Sequence, residues 1–153
     1  MPRLEVGDKA PQFALKDQAG ATVRLADYKG RKLLLYFYPR ADTPGCTRQA
    51  CSIRDSAPAL AAAGLASVGI SPDEPDDQSK FDRKFGLGFP LLSDPDHAVA
   101  EAYGAWGEKS MYGRKSMGII RSAFLIDGNG KIAAAWYKVS PEDTVPKALA
   151  ALE

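Results

Sequence analysis

Leu33-Leu34-Leu35-Tyr36-Phe37-Tyr38-Pro39-Arg40-Ala41-Asp42-Thr43-Pro44-Gly45-Cys46 contains six consecutive apolar residues, a proline stop, and a polar turn that opens a helix. A short apolar and aromatic run of this kind is typical of a central strand buried on both faces. Thr43 suits a helix N-cap and Pro44 the first helical position. The helix opening within Thr43–Cys46 is expected to run to about Asp55. Pro58 cannot sit deep inside it, so a break is expected near Ser56, with a second short helix to Ala63.

Further along the chain, Ala66–Ile70 reads as the next strand, Asp76–Phe85 as a helix, Leu91–Leu92 as a brief strand and His97–Tyr103 as a brief helix. Ser122–Ile126 and Lys131–Tyr137 flank Asp127-Gly128-Asn129-Gly130, the strongest hairpin signal in the chain. Glu142–Leu152 reads as a closing helix. Before the central strand, Phe13–Leu15 and Thr22–Leu25 flank the turn residues Asp17–Gly20 and predict an N-terminal β-hairpin. Strands alternating with helices, followed by a hairpin and a helix, predict an α/β fold of thioredoxin-like layout, with a central mixed sheet flanked by helices. One domain spanning residues 1–153 is expected. In open α/β sheets, sites form beyond the carboxyl ends of the strands, which here points at Pro39–Cys46.

Composition excludes several classes of function. Of 153 residues, 45% are apolar and 25% charged, ordinary values for a folded globular chain. Twenty Lys and Arg against nineteen Asp and Glu leave a net charge of +1, without the basic excess of a nucleic-acid binder. Apolar runs stop at six residues, against about 20 for a membrane span. Met1–Pro11 shows no apolar signal region, so a cytoplasmic location is expected. Two Cys and one His cannot form a four-ligand zinc site without carboxylate help, so neither a metal nor a cofactor is expected. Asp94 and Asp96 read as capping residues rather than metal ligands, His97 as structural, and Trp106 and Trp136 as core or rim aromatics.

Cys46 falls in the first turn of a helix, where free backbone N–H groups and the helix dipole favour an anion. An unperturbed thiol is roughly 3% ionised at pH 7, and making it mostly thiolate takes about 3.4 kcal/mol of differential stabilisation. A helix end supplies about 0.3–1 kcal/mol. The remainder calls for a nearby cation, which composition does not identify. Cys51 lies five residues on, a C-x-x-x-x-C spacing rather than the C-x-x-C of thioredoxin-type motifs. Residues five apart on an intact helix are about 8.7 Å apart at Cα, beyond the limit of about 7 Å for a disulfide. From the residues alone, two unrelated buried cysteines and a reactive pair both remain open.

The segment Tyr36-Phe37-Tyr38-Pro39-Arg40-Ala41-Asp42-Thr43-Pro44-Gly45-Cys46-Thr47 resembles the active-site segment of peroxiredoxins, and its continuation through Ala50-Cys51-Ser52-Ile53-Arg54-Asp55 resembles the peroxiredoxin Q, or bacterioferritin comigratory protein, branch. The family pattern P-x-x-x-T-x-x-C falls on Pro39, Thr43 and Cys46. Further matches are Phe89–Asp94, Tyr103–Lys109 and Ile120–Asp127, so the resemblance covers nearly the whole chain.

The resemblance implies a thioredoxin fold and a thiol-dependent peroxidase acting on hydrogen peroxide and organic hydroperoxides. It implies that Cys46 is the peroxidatic cysteine and Cys51 the resolving one, that Arg121 is the active-site cation, and that Thr43 and Pro39 complete the site. Thioredoxin, or alternatively glutaredoxin, is the implied reductant, and an intramolecular disulfide is compatible with a monomer. The alternative is a protein-disulfide oxidoreductase on the same fold, against which the missing C-x-x-C speaks. One departure from the branch is Gln49, where many members carry Glu. Its amide oxygen can accept a hydrogen bond in place of the carboxylate that would hold Arg121.

Overall fold

The computed structural model describes residues 3–111 and 113–152. Among the described residues, nine strands and five α-helices follow in the order β1 (Ala14–Lys16), β2 (Thr22–Arg24), β3 (Lys32–Phe37), α1 (Pro44–Asp55), α2 (Ala57–Ala62), β4 (Leu65–Ser71), α3 (Pro75–Phe85), β5 (Leu91–Ser93), α4 (Ala98–Ala102), β6 (Trp106–Met111), β7 (Arg114–Ile119), β8 (Ser122–Ile126), β9 (Ile132–Tyr137) and α5 (Thr144–Ala151). Seven strands form one sheet in the order β2-β1-β5-β4-β3-β8-β9, while β6 and β7 form a separate two-stranded ribbon. β3, β4 and β5 are parallel, and β1, β8 and β9 join antiparallel, so the sheet is mixed as expected.

The central position of β3 follows from its sequence. Side chains alternate across a strand, and both faces of Leu33–Tyr38 are buried. Leu33, Leu35 and Phe37 pack into one core layer with Val68, Ile70 and Phe124. Leu34, Tyr36 and Tyr38 pack into the other with Cys46, Ala50 and Ile53. Each fully buried leucine contributes about 1.5–3 kcal/mol, so this strand anchors both layers and fixes α1 over one face. Two parallel connections then place the C-terminal ends of β3, β4 and β5 on one side of the sheet.

The break between α1 and α2 falls at Ser56, with Pro58 in the first turn of α2 where its missing N–H costs no helical bond. At the turn between β8 and β9, the Asp127 carboxylate accepts from the Asn129 and Lys131 N–H groups. The N-terminal hairpin pairs Leu15 with Val23 and meets the sheet through Lys16 and Ser93. Asp94 caps α4, accepting from the Val99 and Ala100 N–H groups. Among the described residues no helix is long and apolar enough to cross a membrane.

Two expectations are corrected, and one element lies outside them. The β6–β7 ribbon has no sequence signal, because Trp106–Ile119 is rich in Gly, Ser and Lys and has no apolar alternation; most of β7 faces solvent. His97 lies outside its helix: it is the N-cap of α4, at φ 51°, with its ring stacked on Trp106 at 3.7 Å. The closing helix begins at Thr144 rather than Glu142, because Pro141–Asp143 forms a 3-10 turn first.

Candidate active site

β3 ends at Phe37, and Tyr38–Thr43 carries the chain to the start of α1. Two anchors shape this connection. The Ala41 N–H donates to Asp73 Oδ2 at 2.7 Å, and Ser71 Oγ donates to the same oxygen at 2.6 Å. Asp42 takes a left-handed conformation at φ 58°, which Asp tolerates better than most residues. The result is a tight entry that aims the N-terminus of α1 across the end of β3.

Thr43 is the N-cap of α1 by position, but its side chain does not cap the helix. Its hydroxyl donates instead to the Arg40 carbonyl at 2.8 Å. This corrects the expectation of a capping threonine. Pro44 has no N–H, and the Gly45 and Cys46 N–H groups have no capping side chain. The helix therefore starts with open donors, the condition under which an N-terminus attracts an anion.

Arg121 reaches the same place from 75 residues away in sequence. β8 pairs antiparallel with β3, with Ser122 opposite Phe37, so Arg121 sits beside the exit of β3. Its carbonyl accepts from the Val139 N–H at 3.0 Å, which fixes its backbone. One guanidinium nitrogen, Nη2, donates to Cys46 Sγ at 3.3 Å, and the other, Nη1, donates to Gln49 Oε1 at 2.6 Å. Gly45 leaves room for this approach: a Cβ there would stand 3.2 Å from Arg121 Nη2, a tight contact.

The structure thus brings Cys46, Thr43, Pro39 and Arg121 to one end of the sheet. Cys46 is buried at 1% exposure, and Pro39 lines the groove that opens beside Arg121. Cys51 is half-buried on the same helix, and both thiols are free. The intact helix holds them apart, at about 8.7 Å between Cα atoms by helix geometry. Tyr36 lies beneath the site. Burial, with Tyr38 and Cys46 adding to it, pushes its phenol well above the usual range, and its hydroxyl has no partner among the described residues.

Two participants escaped the sequence reading. Thr144 accepts from Gln49 Nε2 at 2.8 Å, so a chain runs from Cys46 through Arg121 and Gln49 to α5. Lys109 on β6 is half-buried near the site. Burial lowers its pKa, Arg121 pushes the same way, and Cys46 opposes. Neither residue carries a local signal, since both act through contacts across the fold.

Gln49 itself is fully buried. Its amide is matched on both sides, the oxygen to an arginine that only donates and the nitrogen to a hydroxyl that accepts. A carboxylate at position 49 would face the sulfur from one helical turn away, about 5–6 Å between Cβ atoms. At an effective dielectric of about 20, unit charges 6 Å apart repel by roughly 2.8 kcal/mol. Burial limits solvent screening, so the effect exceeds that of an exposed pair. In a Cys51→Ser background, Gln49→Glu is expected to slow the first oxidation of Cys46 by about tenfold. An unchanged or faster rate, measured by stopped flow, would refute this account of Gln49.

An α/β sheet of thioredoxin-like type, with a buried thiol at a helix N-terminus under a guanidinium, defines a thiol-based redox protein. Residues 6–135 match the AhpC/TSA family. The chain is 54% identical over 145 residues to the putative peroxiredoxin Rv2521 of Mycobacterium tuberculosis, covering 95% of this chain and 92% of that protein. It is 45% identical over 150 residues to peroxiredoxin Bcp of Bacillus subtilis, covering 98% and 96%. Xanthomonas campestris peroxiredoxin Q superposes with a TM-score of 0.86 at 36% identity, over 92% of this chain and 89% of that one. The chain belongs to the AhpC/TSA family, in its peroxiredoxin branch, and is a peroxidase.

Proposed function

We propose that the chain reduces hydrogen peroxide and organic hydroperoxides through Cys46, resolves the product with Cys51, and is recycled by thioredoxin. The observation that carries this reading is the contact of Arg121 Nη2 with Cys46 Sγ at 3.3 Å, over a helix start with open N–H groups.

The Cys46 thiolate attacks one peroxide oxygen. The S–O bond forms as the O–O bond breaks, and the second oxygen leaves as hydroxide or alkoxide and takes a proton. Sulfur is oxidised by two electrons to a sulfenic acid, and the peroxide becomes water or an alcohol. Charge grows on the leaving oxygen, where Arg121 and the Cys46 N–H are the donors. The Thr43 hydroxyl gives its proton to Arg40, so its free lone pairs serve to accept from the incoming hydroperoxide and orient it. Pro39 offers no N–H and lines the groove beside Arg121, where it serves to keep water from the sulfur.

Cys51 then attacks the Cys46 sulfur. An S–S bond forms, the S–O bond breaks and water leaves; a dithiol protein exchanges the disulfide back. No partner chain is needed for this step, consistent with a single-domain monomer working in the cytoplasm.

The disulfide requires α1 to open locally, since the helical spacing of about 8.7 Å exceeds the bridging limit of about 7 Å. Short helical turns open at modest cost. The oxidised protein is expected to lose hydrogen-exchange protection across residues 46–55, and equal protection in both redox states would exclude the mechanism. The overall reading is tested by peroxide consumption with thioredoxin and its reductase, together with mass analysis for a Cys46–Cys51 bond. Turnover without that bond would overturn the resolving role of Cys51.

A further inference from the structure

The peptide group between Arg40 and Ala41 is held at both ends. Its N–H donates to Asp73 Oδ2 at 2.7 Å, and its carbonyl accepts from Thr43 Oγ1 at 2.8 Å. Asp73 lies in the turn between β4 and α3, 32 residues beyond Ala41. Its hydrogen-bond partners among the described residues are Ala41 and Ser71, not Cys46 or Arg121.

The direction of every bond around Asp73 follows from the partners. The Leu92 carbonyl only accepts, so the Gln78 amide nitrogen must face it, at 3.0 Å. The same nitrogen donates to Ser71 Oγ at 2.8 Å, and the Gln78 amide oxygen accepts from the Tyr38 hydroxyl. Ser71 therefore receives one hydrogen and passes its own to Asp73 Oδ2 at 2.6 Å. Ser71 and Gln78 are both fully buried, so water does not compete for these bonds. The network grips the segment ahead of Cys46 at two points, Tyr38 and Ala41. Between Ala41 and Thr43, the left-handed Asp42 folds the chain back so that the Thr43 hydroxyl reaches the Arg40 carbonyl. The other tie on this segment, from Lys84 to Asp42, is exposed at both ends and adds little.

In a planar trans peptide the N–H and C=O point in opposite directions. A carboxylate that holds the N–H therefore also sets where the carbonyl points. A charged acceptor on the N–H further polarises the group and makes its carbonyl a stronger acceptor.

We propose that Asp73 is a positioning residue for the peroxide step: through the Arg40–Ala41 peptide it keeps the Thr43 hydroxyl hydrogen on the Arg40 carbonyl, so that the oxygen lone pairs face the incoming hydroperoxide. The inference rests on the peroxidase reading and adds a residue that acts without touching substrate. No atom of Asp73 enters the reaction; the S–O bond forms and the O–O bond breaks as described above. Without the carboxylate the peptide is free to turn, and the Thr43 hydroxyl loses the acceptor that fixes its hydrogen. It then offers a donor to the substrate O–H, which needs an acceptor.

The test follows the first oxidation of Cys46 by stopped flow in the full chain carrying Cys51→Ser, with hydrogen peroxide and cumene hydroperoxide as probes. Asp73→Ala is expected to lower the second-order rate about tenfold, and Asp73→Asn, whose amide oxygen still accepts from Ala41, only about threefold. In a Thr43→Val background either substitution should change the rate by less than about twofold, because the hydroxyl it positions is gone. Alkylation of Cys46 by iodoacetamide needs no acceptor at Thr43 and should keep its rate in both Asp73 variants. Asp73→Asn keeps the side-chain shape, so it carries the same comparisons if Asp73→Ala does not fold. An undiminished loss in the Thr43→Val background, or equal slowing of alkylation and peroxide reduction, would overturn the proposal. Failure of the Cys51→Ser parent to consume one equivalent of either peroxide would instead sink the peroxidase reading.

Discussion

Cys46→Ser is expected to reduce peroxide consumption to the background rate, whereas Cys51→Ser is expected to consume one equivalent and stop. The two thiols share a helix but not an environment. Cys46 is buried at the helix start with Arg121 Nη2 at 3.3 Å, and Cys51 is half-buried one and a half turns on. Serine at position 46 keeps the shape but stays protonated at neutral pH and has no thiolate to offer. In the proposed mechanism, serine at position 51 leaves the attacking sulfur and its donors intact and removes only the group that condenses with the sulfenic acid. Mass analysis of Cys51→Ser after one equivalent of peroxide should show a single added oxygen, trappable by a sulfenic-acid reagent. Sustained turnover of Cys46→Ser with thioredoxin would overturn the assignment of the two roles.

Arg121→Met is expected to slow the first oxidation of Cys46 by about 10²–10³, the usual cost of one donor aimed at developing negative charge. The side chain does two things at once: it donates to the sulfur and is itself held by the Gln49 amide at 2.6 Å. A lysine at this position supplies charge without the planar fork, so it cannot hold both partners in the same geometry. Arg121→Lys should therefore recover only part of the rate. Stopped-flow measurement of the first turnover in a Cys51→Ser background isolates this step from resolution and recycling. A loss below about threefold for Arg121→Met would remove it from the transition state.

What the sequence by itself determined is local. Leu33–Tyr38 announces a strand buried on both sides because every residue in it is apolar or aromatic and Pro39 ends it. Thr43 and Pro44 announce the helix start that puts Cys46 near open backbone donors, and Asp127–Gly130 announces a tight turn through its side-chain and glycine chemistry. The resemblance could select Arg121, but no property of Ile120-Arg121-Ser122 says what it touches. Only the tertiary structure decided that, because the register of β8 against β3 carries Arg121 to a sulfur 75 residues earlier. It likewise turned the Thr43 hydroxyl toward Arg40 rather than the helix, buried Gln49 between Arg121 and Thr144, and folded Trp106–Ile119 into a ribbon that edges the groove. Turns, caps and strand periodicity are set within a few residues. The partners of a guanidinium, an amide or an ammonium group are set by which distant elements the core brings together.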